Sequence, residues 1–77
     1  PKAVEPVGDI AQDAESLRVW VRSNYRSNQR LSWDVTPRGE VWNHLVEHGF
    51  EMRQVRPLNR WDALCLHDAV HTGRLAI

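Results

Sequence analysis

The chain is poor in cysteine and has no long apolar run. Its 77 residues include one cysteine, Cys65, so no disulfide framework can form within the chain. A lone cysteine is typical of proteins in a reducing compartment, and we expect an intracellular location, in the cytoplasm or the nucleus. No apolar stretch approaches the about 20 residues that a membrane-spanning helix needs. We therefore predict that the chain has no membrane partner.

The sequence also lacks the motifs that carry most enzyme chemistry. It contains no glycine-rich phosphate loop, no G-x-S-x-G and no paired carboxylates in special surroundings. Cys65 could act as a nucleophile with His67 or His71 as its base, but it lies in the apolar run ALCLH. A cysteine in such a setting usually packs as a small hydrophobic residue. We predict that the protein is not an enzyme and binds no cofactor.

The histidines fall into two motifs that raise the question of a metal. HLVEH has the H-x-x-E-H order of a zinc-peptidase class, with Glu47 as the base, but such an enzyme needs a further ligand and a larger scaffold. CLHDAVH adds two more histidines, and the four together could form a structural zinc site. The four are His44, His48, His67 and His71. Because neither spacing resembles a CxxC or CxxH pair, we interpret them as partly exposed histidines near helix ends and predict no metal.

The chain is rich in arginine and tryptophan. There are ten basic and ten acidic residues, and nine of the basic ones are arginine. The charges are segregated: residues 1–17 sum to −3, 18–30 to +4, 31–52 to −3 and 53–77 to +2. Local patches of one sign can steer a charged partner even though the net charge is zero.

The length allows one small domain. Residues 1–8 contain two prolines and a glycine without periodicity, so we interpret them as a flexible tail or linker and place the domain at 9–77. The chain begins at Pro1 rather than at methionine. We expect it to be a domain excised from a larger protein.

Apolar periodicity predicts a first helix from Asp9, which is followed by a break at RSNQR. Asp9 or Asp13 could cap this helix. A four-residue step of arginines runs along its polar side. The buried stripe comprises Ile10, Ala14, Leu17, Val21 and Tyr25. Residues 31–35, LSWDV, alternate between apolar and polar and predict a half-buried strand.

The next segment, TPRGEVWNHLVEHGF, predicts a helix with signals at both ends. Thr36 suits the N-cap and Pro37 the first turn. Gly49 suits a left-handed C-cap, with Phe50 as the hydrophobic residue just beyond it.

Two structures fit the residues after Gly49. We favour a hairpin of strands at about 50–56 and 61–66, because WDALCL alternates. The other structure is a helix from Arg60 to Thr72, capped by Asn59 and closed by Gly73. It places Asp68 on the same face as apolar residues, so no clean apolar stripe emerges. With the hairpin, DAVHTGRLAI would be a short helix or a terminal strand.

The predicted fold is therefore a small α+β domain with the order helix, strand, helix, strand, strand. Residues 36–66, a helix ending in Gly-Phe followed by a basic hairpin, resemble the last helix and the wing of winged-helix domains. This resemblance implies DNA binding, although only one helix fits before the hairpin, where that family has two. The alternative is an all-α three-helix domain. The predicted core comprises Trp33, Val41, Trp42, Leu45 and Trp61.

We predict a non-catalytic domain that binds DNA or RNA through an arginine ladder. Four arginines spaced by four residues would span about 18 Å of helix, which matches several phosphates along a strand. A second group falls on the predicted hairpin. The predicted binding residues are Arg18, Arg22, Arg26, Arg30, Arg53, Arg56 and Arg60. The alternative is a protein–protein docking module that uses exposed tryptophan and arginine, with Trp20 as an anchor because it lies off the apolar stripe.

Overall fold

Four helices make up most of the chain that the computed structural model describes, which comprises residues 5–6, 13–32 and 40–76. The elements are β1 (Glu5–Pro6), α1 (Ala14–Asn24), α2 (Val41–Glu47), α3 (Met52–Val55), α4 (Arg60–His71) and β2 (Leu75–Ala76). β1 and β2 pair in parallel, with Glu5 opposite Leu75. Within the described residues, every helix is too short or too polar to cross a membrane.

Helix α1 begins at Ala14, directly after the second of the two predicted N-caps. Asp13 is its N-cap, and its carboxylate accepts a hydrogen bond from the backbone N–H of Ser16 at 2.8 Å. The predicted stripe is buried at Leu17, Val21 and Tyr25, while Ile10 lies outside the described residues. The helix ends at Asn24, so the predicted break follows it directly.

The end of α2 confirms the predicted Gly-Phe cap. Gly49 has a φ of 114°, and its N–H bonds the carbonyl of Val46 at 3.0 Å, while the N–H of Phe50 bonds the carbonyl of Leu45 at 3.1 Å. This pair of bonds is a Schellman motif, which Phe50 completes by burying its ring. The helix begins at Val41, after Glu40. The residues predicted to begin it, Thr36 and Pro37, lie outside the described residues.

The predicted hairpin after Gly49 is wrong, because these residues form α3 and α4. A reciprocal capping box joins Glu51 and Gln54 at the start of α3. Asn59 caps α4 by accepting a hydrogen bond from the N–H of Asp62 at 2.8 Å. Gly73 closes α4 with a φ of 79°. These caps satisfy backbone groups that helix ends leave unpaired, and they outweigh the short alternation in WDALCL.

Helix α4 lies at the centre of the core and contacts α1, α2 and β2. It is buried over most of its circumference, which is why it shows no clean apolar stripe. Of the predicted core residues, Val41 and Leu45 are fully buried, Trp42 and Trp61 are partly buried against the core, and Trp33 lies outside the described residues.

The fold class we predicted is therefore wrong. The described chain is mainly helical, with one two-residue strand pairing in place of a hairpin. Residues 53–60 form helices and turns rather than a wing, so the winged-helix interpretation fails with the hairpin. The all-α alternative is nearer, although the described residues include a fourth, short helix. Of the predicted strand at 31–35, only Leu31 and Ser32 are described, and neither is in a strand.

Candidate nucleic-acid interface

The arginine ladder is not one continuous helical row. Arg18 and Arg22 lie on α1, where residues four apart share a face. The helix ends before Arg26, because Tyr25 is extended, with φ and ψ of −127° and 146°. Arg26 and Arg30 therefore belong to the turn that follows. The predicted 18 Å spacing along one helix is not present.

Arg18 is engaged within the protein. Its Nη1 donates to Glu15 Oε2 at 2.9 Å, and its Nη2 donates to the backbone carbonyl of Pro57 at 3.0 Å. The first contact partly compensates its charge. Through the second contact, Arg18 connects α1 to the loop between α3 and α4.

The second arginine group lies around that same loop. Arg56 immediately precedes Pro57, and Arg60 opens α4 three residues beyond it. Arg53 is different, because its Nε contacts Glu51 Oε2 at 2.5 Å in an exposed ion pair. The Arg18–Pro57 hydrogen bond thus joins one member of the first arginine group to the loop beside the second group, although the two are far apart in the sequence.

Several of these cations have no ion pair with another described residue. Five arginines are exposed and have no ion pair among the described residues. They are Arg22, Arg26, Arg30, Arg56 and Arg60. Exposed guanidinium groups without a carboxylate partner can donate bidentate hydrogen bonds to phosphate.

The four histidines are brought together where α2 packs on α4. The ring of His67 lies 5.7 Å from that of His44, 5.3 Å from that of His48 and 6.1 Å from that of His71, centroid to centroid. His67 is 3% exposed. Its interpretation as a partly exposed residue was wrong. Among the described residues, no three histidine, cysteine or acidic side chains are placed to hold a metal ion.

The surroundings of His67 favour its neutral form. Burial is the largest cause and lowers its pKa to about 4, and the positive charges that His48, His44 and His71 can carry act in the same direction. The nearby Asp68 opposes them. His44 also faces Glu47, with Nδ1 and Oε2 3.4 Å apart.

Asp68 is a buried carboxylate on a face of α4 that also carries apolar residues. It accepts hydrogen bonds from Tyr25 Oη at 2.7 Å, from the Ser32 N–H at 2.7 Å and from Ser32 Oγ at 2.6 Å. Burial alone would raise its pKa, but the bonds from Ser32 and Tyr25, with the charge of Arg74, hold the pKa below its usual value. A carboxylate on an apolar helix face is expected to be buried with hydrogen-bond partners, so the position of Asp68 could have indicated this site.

Cys65 is enclosed in the core. The side chain is buried, and burial, followed by the charges of Asp62 and Asp68, raises the pKa of its thiol to about 12. The thiolate is the nucleophilic form of cysteine. Cys65 is therefore poorly suited to act as a nucleophile.

An open cleft lies beside the second arginine group. It has a volume of about 320 Å³ and is lined by Trp42, Met52 and Arg56. The indole Nε1 of Trp42 is buried without a hydrogen-bond partner among the described residues. Trp20, the anchor we predicted for docking, is only 8% exposed and belongs to the core.

Comparison with known proteins returns no match among protein-family models, curated proteins or solved structures.

Proposed function

We propose that this domain is non-catalytic and binds nucleic acid through the phosphates of its backbone. The hydrogen bond from Arg18 to the carbonyl of Pro57 carries the proposal. Arg22 lies one turn along α1 from Arg18, and Arg56 and Arg60 lie on either side of the loop that contains Pro57, so we infer that these three arginines lie near one another. Three guanidinium groups without ion pairs among the described residues then share one region of the surface.

This arrangement revises which arginines contact phosphate. Arg22, Arg56 and Arg60 form the centre of the interface. Arg26 and Arg30 extend it beyond the end of α1. The remaining two of the seven predicted arginines, Arg18 and Arg53, each have a carboxylate partner. Their charge is already partly compensated, so we assign them a lesser share of the binding.

The proposed contact is electrostatic and independent of sequence. Phosphate contacts release condensed counterions, so affinity falls steeply as salt rises. Base-specific readout is not part of the proposal. Either DNA or RNA would present the phosphates that the three arginines require.

Fluorescence anisotropy with a labelled duplex and a labelled single strand tests the proposal. At physiological salt we expect dissociation constants on the order of 10⁻⁴–10⁻⁶ M for such non-specific binding. The triple variant Arg22→Gln, Arg56→Gln, Arg60→Gln should lose most of the affinity. Arg53→Gln is the matched control, since it removes an exposed arginine that is paired with Glu51. Equal losses per charge in both variants would contradict the proposed surface.

A protein-docking module is the second candidate function, and the cleft beside α3 is the observation that favours it. Met52 is 39% exposed and lies in that cleft with Trp42 and Arg56. An apolar side chain followed by a carboxylate would suit this lining, because the carboxylate could pair with Arg56. Failure to bind either nucleic acid at low salt would favour this candidate.

A further inference from the structure

Every histidine of the chain belongs to one cluster between α2 and α4. The chain has four histidines. His44 and His48 are spaced four apart on or just after α2, and His67 and His71 are spaced four apart on α4, so each pair lies on one helix face. His67 is the buried centre, and the other three rings lie 5.3–6.1 Å from it.

Among the described residues, two carboxylates lie close to the histidine cluster. Glu47 faces His44 from α2, but both side chains are substantially exposed, so solvent screens the pair. Asp68 follows His67 on α4, but its carboxylate oxygens accept hydrogen bonds from Tyr25 and Ser32. Arg74, next to β2, adds a positive charge near that carboxylate. Protons added to the histidines would therefore create like charges around a buried ring.

We propose that the four-histidine cluster is an acid-sensitive latch, which holds α2 against α4 while its rings are neutral and weakens as acid charges them. The reason is the packing itself. Burying a charged group without full compensation is costly, and like charges within about 6 Å repel each other. α2 is short and ends immediately at the cluster, so loosening this contact would release it from α4.

The sign of the pH dependence follows from His67. Its pKa is lowered from 6.5 to about 4, so the unfolded chain binds the proton more tightly than the folded chain does. The stabilisation is fully present above about pH 6.5 and is lost as the pH falls toward 4. The side chains of aspartate and glutamate usually titrate below this window. A change in stability between pH 7.5 and 5 is therefore assigned to histidine, and all four histidines of the chain belong to the cluster.

Urea denaturation from pH 7.5 to 5 tests the latch. For the wild type we expect the unfolding equilibrium constant to rise by as much as about tenfold per pH unit below pH 6, which is the limit for one proton. His67→Phe keeps an aromatic ring but cannot titrate, so its pH dependence should fall to less than half of the wild-type slope. The control His71→Gln removes an exposed member and should retain most of that slope. A flat wild-type profile, or an unchanged slope in His67→Phe, would overturn the proposal.

A second measurement does not depend on whether His67→Phe folds. The ring-proton chemical shifts of the wild type report each histidine separately during a pH titration followed by NMR. We expect the His67 ring to stay neutral down to pH 5 in the folded chain. A His67 midpoint near 6.5 would show that the ring carries a proton without cost and would overturn the latch.

Discussion

The phenol of Tyr25 donates a 2.7 Å hydrogen bond to Asp68 across 43 positions of the chain. This bond ties the end of α1 to the most buried helix. Burial, and then this hydrogen bond, raise the pKa of Tyr25, so the phenol stays protonated as a donor. The guanidinium of Arg74 lies 5.0 Å from the centre of the same ring. Tyr25 and Asp68 thus give α4 a polar contact inside the core.

Tyr25→Phe should destabilise the fold by about 2 kcal/mol, because a hydrogen bond to a charged group contributes about 1.5–3 kcal/mol. The remaining donors, both from Ser32, would still serve Asp68. Urea denaturation at pH 7.5 measures the change in free energy. Ser23→Ala is the control, since it removes an exposed hydroxyl that bonds within α1. A loss for Tyr25→Phe no larger than that of the control would contradict the role of this bond.

Gly73→Ala should destabilise the fold by about 1 kcal/mol through backbone strain, since a left-handed conformation is costly for a residue with a Cβ. Gly73 has a φ of 79°, and a Cβ placed there would meet no atom within 4 Å. Steric overlap therefore contributes nothing. Gly73→Asn should lose less, because asparagine tolerates positive φ. Thermal denaturation of both variants checks this order, and the reverse order would contradict the cap.

The Cys65 thiol should react slowly with thiol reagents in the folded protein. With a pKa of about 12, only about one thiol in 10⁴ is ionised at pH 8, and the side chain is also buried. We expect the labelling rate with an aromatic disulfide to rise by roughly a thousandfold when urea unfolds the chain. Similar rates in the folded and unfolded chain would show that Cys65 is accessible and would reopen the question of a nucleophile.

The sequence predicted those helices and helix ends that are determined by residues a few positions apart. The stripe of Leu17 and Val21 predicted α1, and the pair Gly49 and Phe50 predicted the end of α2. α4 also carries local signals, with Asn59 before it and Gly73 after it. We gave them less weight than the alternation in WDALCL and the polar residue on the apolar face.

Long-range contacts explain what the sequence could not predict. Asp68 is tolerated inside the core because Tyr25 and Ser32, which are 43 and 36 positions away, donate hydrogen bonds to it. The arginines also make a long-range contact that the sequence did not predict. Their spacing predicted a ladder, but the contact between Arg18 and Pro57 spans 39 positions, and no sequence pattern indicates it.

The salt dependence of nucleic-acid binding shows whether Arg22, Arg56 and Arg60 contact phosphates together. For a duplex, log K falls as log salt concentration rises, and the steepness of this line decreases by about 0.9 for each phosphate contact that is lost. We predict that the triple glutamine variant has a slope shallower than that of the wild type by about 2.7, while Arg53→Gln changes it little. Equal slopes for the wild type and the triple variant would show that these arginines do not contact phosphate.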